Sequence, residues 1–196
     1  MNKASFLNIF VFICLSSFTL NRENTIFSEE NGSQMELRAF IPLSVKVFEK
    51  EIYLAWNKIE GIKEYSISLK NTKEHELIKI HTSDPYAILD LSLPELRDEK
   101  SVTLEIETIC GKSSDQYQIQ HLSSGKRKKI EKIISSKIRL KRQVNAEYFI
   151  KLAKVYEENE LLADALTAHI KAMEFSMDKK YRVLYNKFIT RNKLDL

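Results

Sequence analysis

From Leu43 to Leu122 the chain alternates apolar and polar residues with a period of two, a pattern that few folds can accept. In "EIYLAW", Ile52, Leu54 and Trp56 alternate with Glu51, Tyr53 and Ala55. In "EYSISLK", Tyr65, Ile67 and Leu69 alternate with Ser66, Ser68 and Lys70. In "SVTLEIETIC", Val102, Leu104 and Ile106 alternate with Thr103, Glu105 and Glu107, and in "DQYQIQH" Tyr117 and Ile119 alternate with Gln116, Gln118 and Gln120. Successive side chains of a strand point to opposite faces, so these runs predict antiparallel strands with one face buried and one face wet. "SVKVF", "HELIKIH" and "YAILDLSL" bring the total to seven short strands in about 80 residues. Glu60-Gly61, Asn71-Thr72, Asp84-Pro85, Arg97-Asp98 and Gly111-Lys112 supply the turns. Seven short strands at this spacing predict a β-sandwich with Trp56 on its inner face.

Trp56 closing the second strand, Tyr65 opening the third and Leu91 before the sixth resemble a fibronectin type III domain over residues 41–122. The resemblance implies a seven-stranded antiparallel sandwich that serves as an interaction module. One position departs from the pattern: Val102 stands where the sixth strand would open with a tyrosine, so the hydrogen bond of a tyrosine corner is missing. No cysteines are placed to pair across the sheets, which argues against a disulfide-bearing immunoglobulin domain.

The chain changes character at residue 123. Nine Lys or Arg fall between Lys126 and Arg142 against one acid, Glu131, while Ile130, Ile133, Ile134 and Ile138 recur at helical spacing. That pattern predicts a basic amphipathic helix over 123–144, with Lys126, Arg127, Lys128, Lys129, Lys132, Arg139, Lys141 and Arg142 as a candidate interaction surface. Such a face would suit a protein partner, an anionic membrane surface or an envelope polymer; the other reading is a solvated charged face whose isoleucines pack on the helices that follow.

In Ala146 to Lys179, Phe149, Leu152, Ala153 and Tyr156 fall on one predicted helix, and Ala165 and Ala172 on the next. This stretch resembles a single tetratricopeptide-repeat unit, a pair of antiparallel helices of about 34 residues. Six of the eight positions compared match, while His169 replaces an aromatic and Met177 the terminating proline. A lone unit cannot bury both faces. The basic helix is placed to cover one side, and "KKYRVLYNKF", with Tyr181, Leu184, Tyr185 and Phe188, to cover the other. Ala168 lies off the matching positions and is expected to face solvent.

The expected fold is therefore α+β and multidomain: an antiparallel β-sandwich over 41–122, the basic helix over 123–144 and a helical, tetratricopeptide-like bundle over 145–196. Residues 1–20 read as a signal peptide, with Lys3 followed by an uncharged run from Ala4 to Asn21. Residues 21–40 read as a flexible lead-in containing the sequon Asn31-Gly32-Ser33. The chain is expected to be exported, periplasmic or secreted. The alternatives are anchoring by an uncleaved signal or by a lipidated Cys14, although the bulky Ile13 before Cys14 fits lipidation poorly. Cleavage beyond Cys14 would leave Cys110 alone, as a half-buried structural thiol at a strand end.

Catalytic constellations are scarce. With glycine only at positions 32, 61, 111 and 125, neither a phosphate-binding loop nor a dinucleotide fingerprint can be written. His75, His81, His121 and His169 form no zinc-ligand spacing. His75 and His81 share a face of one predicted strand as a solvated pair, and His169 is expected as a packed residue with a satisfied ring nitrogen. No catalytic residue, cofactor or metal is expected, and the net charge of +4 does not require nucleic acid. The leading expectation is a non-enzymatic binding or scaffold protein of the cell envelope acting through protein–protein interaction. The alternatives are a carbohydrate- or polymer-binding accessory protein, which would need an exposed aromatic platform such as Tyr53 with Tyr65, and an enzyme with a site between the two domains.

Overall fold

The computed structural model describes residues 36–138 and 144–194. The signal segment, Cys14, the sequon, and Arg139, Lys141 and Arg142 of the candidate surface lie outside the described residues. Period-two alternation produces strands at all seven expected places: β1 (Ser44–Val47), β2 (Glu51–Ala55), β3 (Tyr65–Lys70), β4 (Glu76–Thr82), β5 (Tyr86–Asp90), β6 (Ser101–Thr108) and β7 (Tyr117–His121). A single helical turn, α1 (Pro94–Arg97), precedes β6 and buries Leu96. The helices α2 (Ser124–Lys137), α3 (Ala146–Glu158), α4 (Leu162–Phe175) and α5 (Lys179–Arg191) follow. The protein is thus α+β.

One sheet has five strands in the order β1-β7-β6-β3-β4, and a second pairs β2 with β5. The expectation of antiparallel pairing fails at one place, because β1 runs parallel to β7. The chain's first extended stretch explains this. Residues 38–40 lie along the free edge of β2, where the Phe40 N–H donates to the Ala55 carbonyl (2.8 Å) and the Asn57 N–H to the Arg38 carbonyl (3.1 Å). The chain then crosses to the other sheet and runs beside β7, whose Gln118 N–H donates to the Leu43 carbonyl (2.7 Å). Leu37 and Ala39, at the end of the stretch read as a lead-in, are therefore buried.

Inward-facing Ile52, Leu54, Ile67, Leu69, Leu104 and Ile106 are all fully buried. Trp56 is 2% exposed and stands edge-on to Tyr65, with ring centroids 5.3 Å apart. Besides Ser68 of β3, which is 3% exposed, the alternation misleads at β2, where Tyr53 on the supposedly wet face is also buried. Helix α4 covers it. Thr167 Oγ1 accepts the Tyr53 N–H (2.9 Å), the Tyr53 hydroxyl donates to Glu174 (2.6 Å), and Lys171 bridges to Glu51 (3.1 Å). Residues 53, 55 and 57 present their backbone groups to the same edge of β2. Residues 38–40 occupy one end of that edge and α4 takes up the rest.

Asn145 caps α3 by accepting the Tyr148 N–H, and Asp178 caps α5 by accepting the Lys180 N–H, both at 2.9 Å. Helices α3 and α4 form the expected antiparallel pair, burying Leu152, Ala153, Tyr156, Ala165 and Ala172. The small residues allow the close approach. Tyr181 and Phe188 of α5 close the other side of α4, whereas Leu184 is 37% exposed. Ala168, expected in solvent, is 3% exposed. Helix α4 is enclosed by β1 and β2, α3 and α5, so it has no wet face at that level. One core cluster runs from the strands through α2 and α3 to Phe188, and the described residues belong to one compact unit.

Candidate interaction surface at the strand–helix junction

The turn between β1 and β2 (Phe48-Glu49-Lys50) is where three helices meet the strands. Asp164 of α4, fully buried, accepts the Phe48 N–H on Oδ2 (2.9 Å) and the Glu49 N–H on Oδ1 (2.7 Å). Burial pushes its carboxyl up to about 7, against the pull of those two N–H donors. Glu49 in turn accepts the hydroxyl proton of Tyr156 on α3, which burial and that carboxylate raise above the ordinary phenol range. Arg127 of α2 donates to the Phe48 carbonyl and lies 4.7 Å over the Phe48 ring. Phe48 also packs against Tyr156, with ring centroids 5.8 Å apart. Two acids, a base, a phenol and two backbone amides are consumed in fixing one turn to three helices. They satisfy one another and leave no reactive group open to solvent.

Of the candidate cations on α2, Arg127 is therefore half-buried and structural. Ile130 and Ile138 bury the inner face of the helix, with Ile133 and Ile134 half-buried beside them, and Lys126, Lys128, Lys129 and Lys132 are exposed. Lys137 is paired with Glu158 at 2.6 Å. The other four lysines have no ion-pair partner among the described residues.

Beside the start of α2 opens a cleft of about 840 Å³, lined by Lys50, Arg97, Lys100 and Arg127 against Asp98 and Glu99. His121 also lines it, and burial with the nearby Arg127 charge lowers its pKa, so the ring is neutral at physiological pH. Ser123 caps α2 without a side-chain hydrogen bond, and the first turn holds no acid to offset the positive end of the helix dipole. The cleft meets α2 at Arg127, while Lys128 and Lys132 line a separate shallow depression on that helix with Glu131, Ser135 and Ser136.

Other sequence expectations fare differently. Tyr65 is 1% exposed and Tyr53 9%, so neither supplies an aromatic platform. His75 lies in the turn before β4 rather than on the strand, and His81 pairs with Glu64 at 3.0 Å, so the two do not form a pair. No cluster of His, Cys, Asp or Glu suited to a metal occurs among the described residues. Cys110 is exposed rather than half-buried, and a contact from the Thr108 hydroxyl (3.2 Å) draws its pKa down. His169 is buried as expected, stacked on Phe188 at 4.9 Å, but its Nδ1 has no hydrogen-bond partner among the described residues. Burial draws its pKa down to about 4.

The sequence reading missed Asp164, Thr167, Glu49 and Tyr156 as a connected set. The local pattern points the other way. Asp164, Thr167, Lys171 and Glu174 recur at helical spacing as one polar stripe on an otherwise Ala-, Leu- and Ile-rich helix, which reads as a solvated face until β1 and β2 are brought against it.

No family model matches this sequence, and comparison with curated proteins finds no match either. No helix among the described residues is long and apolar enough to cross a membrane.

Proposed function

We propose that this protein is a non-enzymatic binding module of the cell envelope that docks an acidic protein surface across α2 and the adjoining cleft. The observation that carries the reading is the arrangement of Lys126, Lys128, Lys129 and Lys132: four exposed cations without ion-pair partners, on a helix whose other face is packed into the core. Surface charges held on a rigid frame set encounter rate and orientation more than raw affinity, which suits recognition of an acidic partner.

The finer identity of the fold belongs to the same proposal. Seven strands divided between two sheets, with the first extended stretch shared between them, support a fibronectin-type-III-like reading for residues 41–122. The corner before β6, which lacks the tyrosine, is filled by Leu96 of α1. The buried small residues between α3 and α4 support a tetratricopeptide-like reading of the helical hairpin. Both are frames for interaction, although fold alone does not fix function. Export to the envelope rests on the uncharged run Ala4 to Asn21.

The test is capture from envelope extracts with the full chain and with a Lys128→Glu/Lys129→Glu/Lys132→Glu variant. Partners retained by the wild type should be lost from the variant, and retention should weaken as salt screens the charges. Equal retention by both chains refutes the assignment of the surface.

A further inference from the structure

The end of the helical layer farthest along α4 carries large apolar side chains in solvent. Met177, in the turn between α4 and α5, is 85% exposed, and Phe175 just before it is 56% exposed. Phe175 is held in place by the ring of Phe149 on α3, with centroids 5.2 Å apart, so it is a fixed projection. Val144, two residues before the buried Ala146 of α3, is 58% exposed, and Val183 on α5 is 49% exposed. Large apolar groups concentrated at one end of a fold mark an interaction site, whereas scattered single ones do not.

The cations beside this tip come from α5. Helix α5 contains Lys179, Lys180, Arg182, Lys187 and Arg191 and no acid. Lys179, Val183 and Lys187 follow one another at intervals of four on its exposed face. Three acids lie at the tip and each is engaged; Glu174, directly before Phe175, accepts the Tyr53 hydroxyl (2.6 Å). Glu147 accepts from Lys180 (2.9 Å) and from the Tyr181 hydroxyl (3.1 Å), and Asp178 caps α5 while lying 3.8 Å from the Lys180 ammonium. Projecting apolar groups beside Lys179 and Lys187, which have no ion-pair partner among the described residues, complement the boundary of an anionic bilayer, where apolar tips enter the acyl region and lysine stems reach back to headgroup phosphates.

We propose that the α4–α5 turn is a peripheral membrane contact, inserting Met177 and Phe175 into an anionic lipid surface while Lys179 and Lys187 of α5 lie against the headgroups. The contact is separate from the lysines of α2, which sit on a different helix and carry no exposed apolar neighbour. A convex tip also suits a bilayer better than it suits a protein groove, because lipid accommodates a projection without matching its shape.

The full chain carrying Met177→Trp provides a local reporter, since the native Trp56 is 2% exposed and already shielded. With vesicles of phosphatidylcholine and phosphatidylglycerol in equal parts, the introduced indole should shift its emission to the blue and be quenched by brominated lipid chains. Phosphatidylcholine alone should give a much smaller response. Phe175→Asp/Met177→Asp should lower partitioning into the anionic vesicles by about tenfold or more, while Lys128→Glu/Lys132→Glu should leave it unchanged. An indole that stays unquenched, even when the chain sediments with vesicles through its N-terminal segment, overturns the proposal. So does an indole that becomes shielded only as protein concentration rises, which would assign the tip to a second copy of the chain.

Discussion

Replacing Asp164 by Asn removes a buried charge while keeping its shape, and the structure says how the cost must change with pH. Asp164 is fully buried, accepts two backbone N–H groups of the β1–β2 turn, and is faced by Glu49 from that turn, Tyr156 from α3 and Arg127 from α2. Its carboxyl is raised from 3.8 to about 7, so the folded state holds the proton more tightly than the unfolded chain does. Stability from this group is therefore complete below its unfolded pKa, falls as pH rises towards 7 and is level above. The difference corresponds to about 4 kcal/mol at about 1.4 kcal/mol per pKa unit. Asp164→Asn cannot titrate. Its amide oxygen can accept one of the two N–H groups, and leaving the other without an acceptor costs about 1–3 kcal/mol. At pH 3, where the carboxyl is largely protonated in folded and unfolded chains alike, urea unfolding should find the variant less stable than the wild type by about that amount. Between pH 5 and pH 8 the variant should gain about 3 kcal/mol on the wild type, because over that window the wild type loses that much of the carboxyl's contribution and the variant nothing. Every other titrating group is common to both chains and cancels in the difference. Stability curves that stay parallel from pH 5 to pH 8, or a wild type that gains on the variant as pH rises, would show that Asp164 is ionised and well solvated in the fold.

Two further tests address the helical layer. His169 is held near 4, below its ordinary 6.5; its contribution is present above the unfolded value and lost as pH falls towards the folded one, by about 3 kcal/mol. His169→Phe should escape that loss while keeping the stacking on Phe188, so an acid titration of stability that matches the wild type refutes the burial argument. Ala165, fully buried between helices, should not accept Leu without a loss of roughly 1–3 kcal/mol, and Ala168→Glu should cost about 3 kcal/mol or more because position 168 is also enclosed. Because strands and helices share one core, both variants should shift a single melting transition seen equally by far-ultraviolet dichroism and Trp56 fluorescence. Separate transitions would restore the expectation of two independent domains.

The strands were legible because alternation is a local property: Ile67, Leu69, Leu104 and Ile106 are inside for the same reason that Ser66 and Glu105 are not. Tyr53 was misplaced because its cover comes from Thr167 and Glu174, more than a hundred residues later. No window on β2 contains that information. Ala168 was misplaced for a related reason. A repeat pattern says which residues face the partner helix, but here α4 faces strands as well, so a position free in a stack of repeats is enclosed. Arg127 looked like one more surface cation until the Phe48 carbonyl and ring were brought to it. The unengaged lysines of α2 were readable, since isoleucine spacing alone sets which side of that helix is dry.

The junction also bears on how such a chain can work as a binding module. An unpaired edge on β2 would leave the Tyr53 N–H exposed and invite pairing with another chain. Strand β1 has left that edge for β7, and α4 fills the place with Thr167, whose hydroxyl donates back to the Ala163 carbonyl (2.8 Å) while accepting from Tyr53. A helix beside a strand edge is not self-registering, because it lacks a ladder of backbone bonds. Asp164 supplies the register by fixing the turn at one end of β2, and Lys171 with Glu51 and Tyr53 with Glu174 extend it along the strand. Arg127 then ties the start of α2 to the same turn. The lysines of α2 and the apolar tip at the end of α4 are thus held by a single network, and a disturbance at Asp164 should reach both surfaces through the turn it grips.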